Sequence, residues 1–284
     1  IFDSVRGTTK WLKVDVDATE TTDANSLTAF GSDGFTVGTG TSFNDSSQTY
    51  VAWCWKESAT AGFDIVSYSG TASAHTESHS LSAVPDVIIC KNRSSTGDWW
   101  VYHSSNTSAP ETDRLTLNTS AATADQLAAW NDTAPTSSVF SVEVSVPTNN
   151  NGDNHIAYLW RSVQGFSKFG SYKGTGSSAN QGPFIYLGFK PAFVITKPST
   201  EADAWSLWDN KRPGYNNQLH QLFAHANSAE SSGASTKAIS FCSNGFKIDG
   251  NDANELNKSG DTYVYMAWAE SPFVNSNGVP NNAE

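Results

Sequence analysis

The sequence predicts an all-β protein built from tandem β-sandwich-like repeats of about 105 residues, the first of them truncated at its N-terminus. Three observations carry this reading. Charged residues are only 16% of the 284, well under the roughly one quarter usual in globular domains, and Ser, Thr, Asn and Gly carry the polar load instead. Aromatics reach 12%, with ten Trp and a single Met, a balance that favours strands and turns over helices. Finally, the chain aligns with itself at a fixed period, which is the mark of a repeated fold.

Each repeat is predicted to close on a strand ending in Trp: TYVAWCW at Trp55, HIAYLW at Trp160 and TYVYMAW at Trp268. An aligned Phe lies upstream of each, at Phe35, Phe140 and Phe246, so that the Phe-to-Trp spacing is 20, 20 and 22 residues. After the first two of these Trp, a Gly-Phe pair (Gly62-Phe63, Gly165-Phe166) opens a new strand. A Pro then introduces an apolar strand, Pro85 before DVIIC and Pro191 before AFVIT. A Trp-led strand follows, at Trp99 and Trp205. The opening Ile1, Phe2, Asp3 and Arg6 align with Leu207, Trp208, Asp209 and Arg212. The expected domains are therefore 1–61 as the C-terminal half of a first repeat, 62–164 and 165–273 as full repeats, and 274–284 as a polar tail. Since the chain opens with Ile1 and no signal peptide is visible, something is expected upstream or to have been removed.

In the last repeat, strands are expected near 165–172, 183–188, 192–197, 204–209, 219–224, 238–242, 245–249 and 261–269. In TYVYMAW, Tyr263, Tyr265 and Ala267 should face one way and Val264, Met266 and Trp268 the other. SDGF at 32–35 and SNGF at 243–246 read as hairpin turns, because Asn or Asp beside Gly adopts positive φ readily. The one helix-like stretch is ATADQLAAW at 122–130.

Several blocks together resemble an uncharacterised repeat common in tail-fibre and virion structural proteins of bacteriophages, often marine ones. They are FDSVRGTTKWL (2–12), SDGFTVGTG (32–40), YVAWCWK (50–56), VPDVIICKNRSSTGDWWVYHSS (84–105), GFSKFGSYKGTGSSANQGPFIYLGFKPAFVITK (165–197), WDNKRPGY (208–215) and the ending YMAWAESPFVNSNGVPNNA. The resemblance covers nearly the whole chain. It implies a structural part of the virion, hence an extracellular location, and contact with the host surface. It implies no catalytic residues.

A net charge of −11 repels phosphate backbones and anionic membranes, so neither nucleic acid nor membrane is an expected partner. Neither a cofactor nor an enzymatic activity is expected: GxSxG, HExxH and P-loop signatures are missing. YKGTGSS at 172–178 reads as a turn. His75 and His79 are expected in a surface loop, and His103, aligned with Asp3 and Asp209, at a polar strand end. Asp98, Glu111 and Asp113, and Asp249, Asp252 and Glu255, are the carboxylate sets a polysaccharide depolymerase would draw on. DGNDANE at 249–255 and NNNGDN at 149–154 read as hairpin loops more readily than as Ca²⁺ sites. Cys54, Cys90 and Cys242 are expected as buried free thiols.

Asp3 with Arg6, and Asp209 with Arg212, read as local ion pairs that pin turns. The recurring Trp are assigned to packing. Trp11, Trp53, Trp100 and Trp130 have no Trp counterpart and are the candidates for a surface or subunit contact, including a sugar-stacking platform. Expected partners are copies of the chain itself (a trimer before a dimer), other virion proteins and host surface glycan. The chief rival reading is a lectin-like receptor-recognition module.

Overall fold

The computed structural model describes residues 1–212, 216–232, 235–251 and 253–269. The tail expected at 274–284, the last residues of the third expected repeat and Asp252 lie outside them. The chain is all-β, its helices single short turns.

Residues 1–61 form two small hairpins. β1 (Lys10–Trp11) pairs with β2 (Thr21–Thr22), and β3 (Leu27–Phe30) with β4 (Phe35–Val37) across the SDGF turn, with Phe30 opposite Phe35. The short helix α1 (Thr41–Asn44) follows. Residues 49–57, which hold the expected closing strand TYVAWCW (49–55) of the first repeat, join no sheet. The segment nevertheless keeps a strand's alternation: Val51, Trp53 and Trp55 are half-buried, while Ala52, Cys54 and Lys56 are exposed. A strand is defined by its neighbours, and among the described residues none pairs with this one.

Residues 62–164 hold β5 (Phe63–Ser69), β6 (His75–Ser78), β7 (Val87–Asn92), β8 (Trp100–His103), β9 (Asp113–Thr116), β10 (Ala124–Asp125), α2 (Leu127–Trp130), β11 (Val139–Val142), α3 (Val146–Asn149) and β12 (Asn154–Trp160). Six of these strands form a sheet in the order β10-β9-β8-β7-β12-β5, and β11 pairs with β6. His75 therefore opens a strand, where a loop was expected; its segment is drawn into the ladder by Phe140 and Val142 on β11. Of the expected helix only its end forms, because Ala124 and Asp125 pair with β9 instead.

Residues 165–269 hold β13 (Ser167–Lys173), β14 (Phe184–Tyr186), β15 (Pro191–Pro198), β16 (Ser206–Asp209), β17 (Leu222–Phe223), β18 (Ile239–Cys242), β19 (Gly245–Ile248) and β20 (Thr262–Ala269). The large sheet is ordered β17-β16-β15-β20-β13 and the small one β14-β19-β18. The last strand of each segment is central. Trp160 sits between Phe63 and Val87, and Trp268 between Ser167 and Phe193.

Both large sheets are packed on both faces, in a sandwich-like arrangement. One face of the six-stranded sheet meets β6, β11 and α2 through Tyr68, Trp100, Tyr102, Trp130 and Phe140. One face of the five-stranded sheet meets β14, β18 and β19 through Tyr263, Tyr265, Ala267, Phe241 and Phe246. The opposite faces join in one common core that includes Trp99, Tyr158, Trp160, Trp205, Val264, Met266 and Trp268. The alternation expected in TYVYMAW is found as expected.

Candidate functional site: an aromatic centre and its open edge

The inward alternation of residues 51–55, β12 and β20 brings three Trp to one point. The ring centroids of Trp55 and Trp268 lie 5.3 Å apart, those of Trp160 and Trp268 6.2 Å, and those of Trp55 and Trp160 6.5 Å, all edge to face. Phe193 is wedged beside them, stacked on Trp53 at 4.6 Å and on Trp268 at 5.5 Å. Edge-to-face and offset geometries let the positive ring edge meet the negative ring face, each pair adding about 0.5–1.5 kcal/mol beyond burial.

The contacts that link successive segments around this centre occur in matching pairs. Trp99 Nε1 donates to the Lys13 carbonyl at 3.0 Å, and Trp205 Nε1 to the Thr116 carbonyl at 2.8 Å. Glu20 N donates to the Arg93 carbonyl at 3.0 Å, and Thr123 N to the Ser199 carbonyl at 2.9 Å. The Asp–Arg pairs match down to the atom. Arg6 Nε meets Asp3 Oδ2 while its other nitrogens reach Glu20 and the Ile1 carbonyl; Arg212 Nε meets Asp209 Oδ2 and reaches Glu230 and the Leu207 carbonyl. Each pair pins its turn as expected. Asp3, Arg6 and Asp209 are buried, because Tyr158 Oη closes over Asp3 at 2.7 Å and Leu207 and Asp209 lie in a covered strand. Burial works to raise the Glu20 pKa, but hydrogen bonds and charge from Arg93 and Arg6 outweigh it and hold the carboxylate low. Asp209 is lowered in the same way against its own burial by Arg212.

One side of the centre is open. A groove of about 290 Å³ runs between Val14, Asp15 and Trp53 on one side and Leu222, Phe223 and Ala224 on the other, with Leu207 at its floor and Asn227 and Ser228 at its rim. It continues past Val14 and Asn227 into a second hollow beside Ile1, Trp11 and Phe43. The aligned Phe differ sharply in burial: Phe35 is 43% exposed, Phe140 1% and Phe246 0%. Phe30 and Tyr50 are also exposed.

The four candidate Trp part company here. Trp53 lines the groove, and Trp11, edge-on to Phe43 at 5.2 Å, lines the second hollow. Trp100 and Trp130 are removed from the surface by packing. Trp100 is covered by the Arg114 guanidinium at 4.5 Å, and Trp130 packs on Tyr102 and donates to the Asp113 carbonyl at 3.0 Å. The sequence reading missed Phe30, Phe35 and Tyr50; the signal was there in aligned strand aromatics whose covering strands have no counterpart in residues 1–61. Cys90 is buried as expected, with its thiol pushed up to about 12 by burial, but Cys54 is exposed on a segment that joins no sheet and Cys242 is half-exposed at the end of β18.

His103 ends β8 as expected but is sealed inside, its Nε2 donating to the Tyr265 carbonyl at 3.1 Å. Among the described residues no cluster of three or more His, Cys, Asp or Glu has the placement of a metal site. Asn149, Asn150 and Asp153 of the 149–154 loop are engaged with Thr71, Asn92 and one another.

A family model described as a domain of unknown function, DUF7483, matches residues 1–272. The chain belongs to this family. No curated protein and no solved structure matches this DUF7483 chain. No helix among the described residues is long and apolar enough to cross a membrane.

Proposed function

We propose that this DUF7483 chain is a non-enzymatic structural protein of a bacteriophage virion, part of a tail fibre or another surface appendage, composed of tandem β-sandwich modules of which residues 1–61 are the second half of one. The observation that carries the reading is where the recurring residues go. Trp55, Trp160 and Trp268 and the Trp99 and Trp205 donors join segments to one another, and the two Asp–Arg pairs pin turns within them. Recurrence given over to packing is what a structural role would draw on. The matching strand orders around β12 and β20 support the modular part of the reading. Mass spectrometry of gradient-purified virions tests it: peptides of this chain should band with the particles, and their confinement to the soluble lysate removes the virion role. Assembly of copies, as trimers before dimers, belongs to the same reading. Light scattering that finds a monomer at micromolar concentration removes that part.

A second reading is recognition of a host glycan. What favours it is the groove itself, where Trp53 and Phe223 offer ring surface beside Asp15, Asn227 and Ser228, the mixture of stacking and hydrogen bonding that sugars need. A glycan array probed with the purified chain, and again with W53A, separates the two.

A further inference from the structure

We propose that the open edge of residues 1–61 is a docking site for a polypeptide segment carrying the first half of a module: an edge strand, a short covering strand, a Pro-led apolar strand and a Trp-led strand, patterned as residues 165–206 are. The inference rests on the modular part of the reading above and is independent of the virion part.

Four features converge on this one occupant. In the third segment the first-half strands β13 and β15 flank β20 on either side, and β14 covers β19 with Ile185 opposite Phe246. In residues 1–61 the matching edges pair with no strand among the described residues. Residues 49–57 alternate like a strand yet form no main-chain hydrogen bond among the described residues. Phe35 stands 43% exposed where Phe246 is sealed. Cys54, on the face that Ala267 occupies in β20, lies in the open. The groove supplies the fourth feature. Trp99 and Trp205 each donate to a carbonyl of the preceding segment, Lys13 and Thr116. Strand pairing makes Phe223 the equivalent of Thr116, since Trp100 faces Thr116 and Ser206 faces Phe223. Phe223 lines the groove, and its carbonyl has no partner among the described residues. A first-half segment would thus pair both edges of residues 49–57, cover Phe35 and place its Trp in the groove with Nε1 on the Phe223 carbonyl. Unpaired strand edges and exposed apolar faces are the surfaces that β-strand addition uses. A second copy of the chain has its own first halves already engaged in β5–β8 and β13–β16, and a sugar would satisfy the groove but not the strand edges.

The test is to fuse a copy of residues 165–206 directly in front of Ile1 and to follow the labelling of Cys54 by a thiol reagent together with amide exchange over residues 35–37 and 50–55. Docking predicts Cys54 labelling slowed by roughly tenfold or more and matching amide protection, as for a group that must wait for local opening. Changing Trp205→Ala in the fused copy alone should return much of the reactivity. Unchanged labelling in a folded fusion overturns the proposal. So does equal protection from a scrambled segment, or protection of Cys54 in the unmodified chain through self-association. If the fusion is insoluble, a polypeptide of residues 165–209 added in trans reads the same rate, and no change at millimolar polypeptide overturns the proposal. Either result leaves the virion experiment unaffected.

Discussion

The His103 ring, at the end of β8, donates from Nε2 to the carbonyl oxygen of Tyr265 in β20, 3.1 Å away, while its Nδ1 accepts from the Ser105 amide at 3.1 Å. Both nitrogens are satisfied in the neutral form. A proton on Nδ1 would face a donor inside a sealed site, and burial lowers the His103 pKa to about 4 from an ordinary 6.5. Between pH 6.5 and 4 the unfolded chain therefore binds more protons at this residue than the folded one. The stabilisation from neutral His103 is complete above pH 6.5 and is lost as the pH falls towards 4, on the order of 3 kcal/mol in all. Urea midpoints measured across this range should fall with acid, and H103Q should flatten the fall. An equally steep loss in H103Q would show that other groups dominate.

Removing Arg6 leaves Asp3 and Glu20 as carboxylates with little water. R6A should cost about 3–5 kcal/mol, the penalty of breaking a buried pair. R212A should cost less, because the Glu230 side chain is 34% exposed and can turn to solvent. Chemical denaturation of the two variants ranks them, and equal costs would contradict the difference in burial.

Within the Trp triangle, W268A should cost about 3–5 kcal/mol, since the ring is buried between two strands and leaves a cavity. W55A should cost clearly less, because its ring is half-buried on an unpaired segment. Thermal unfolding of each variant gives the order, and the reverse order would mean that residues 49–57 are held more firmly than their open edges suggest.

Several glycines admit no side chain, Gly70 and Gly174 among them. A Cβ on Gly70 would lie 2.0 Å from the Asn150 carbonyl oxygen, and one on Gly174 2.1 Å from that of Lys258. G70A and G174A should each cost about 1–3 kcal/mol as the crossing backbone shifts. G152A, where the added carbon meets nothing within 4 Å, tests the effect of the left-handed backbone at φ +75° without a clash.

The strands of the last segment were legible nearly residue for residue, because hydrophobic alternation and turn residues are local signals. Expected at 245–249 and 261–269, the strands are found at Gly245–Ile248 and Thr262–Ala269. What failed was whatever depends on a distant partner. YVAWCWK has the pattern of a strand, yet strands exist only in pairs. Trp100 and Trp130 looked unneeded because no other segment has a Trp there, but each fills a space that Arg114, Tyr102 and Asp113 define. Cys54 reads like Cys90 in sequence, and only the absence of a covering strand sets them apart. Of the open site, Trp11 and Trp53 were legible; the Phe35 face was not, since an exposed Phe and a buried one are written alike.

The meeting of Trp55, Trp160 and Trp268 also constrains how such a protein can change length. In stacked solenoids each unit touches only its neighbours, so units are gained or lost singly and the array melts piecewise. Here the first and third segments touch directly through Trp55 and Trp268, and every ring at the centre leans on the other two. Deleting one segment would strip the two others of their shared packing, so the three are expected to unfold together as one cooperative body.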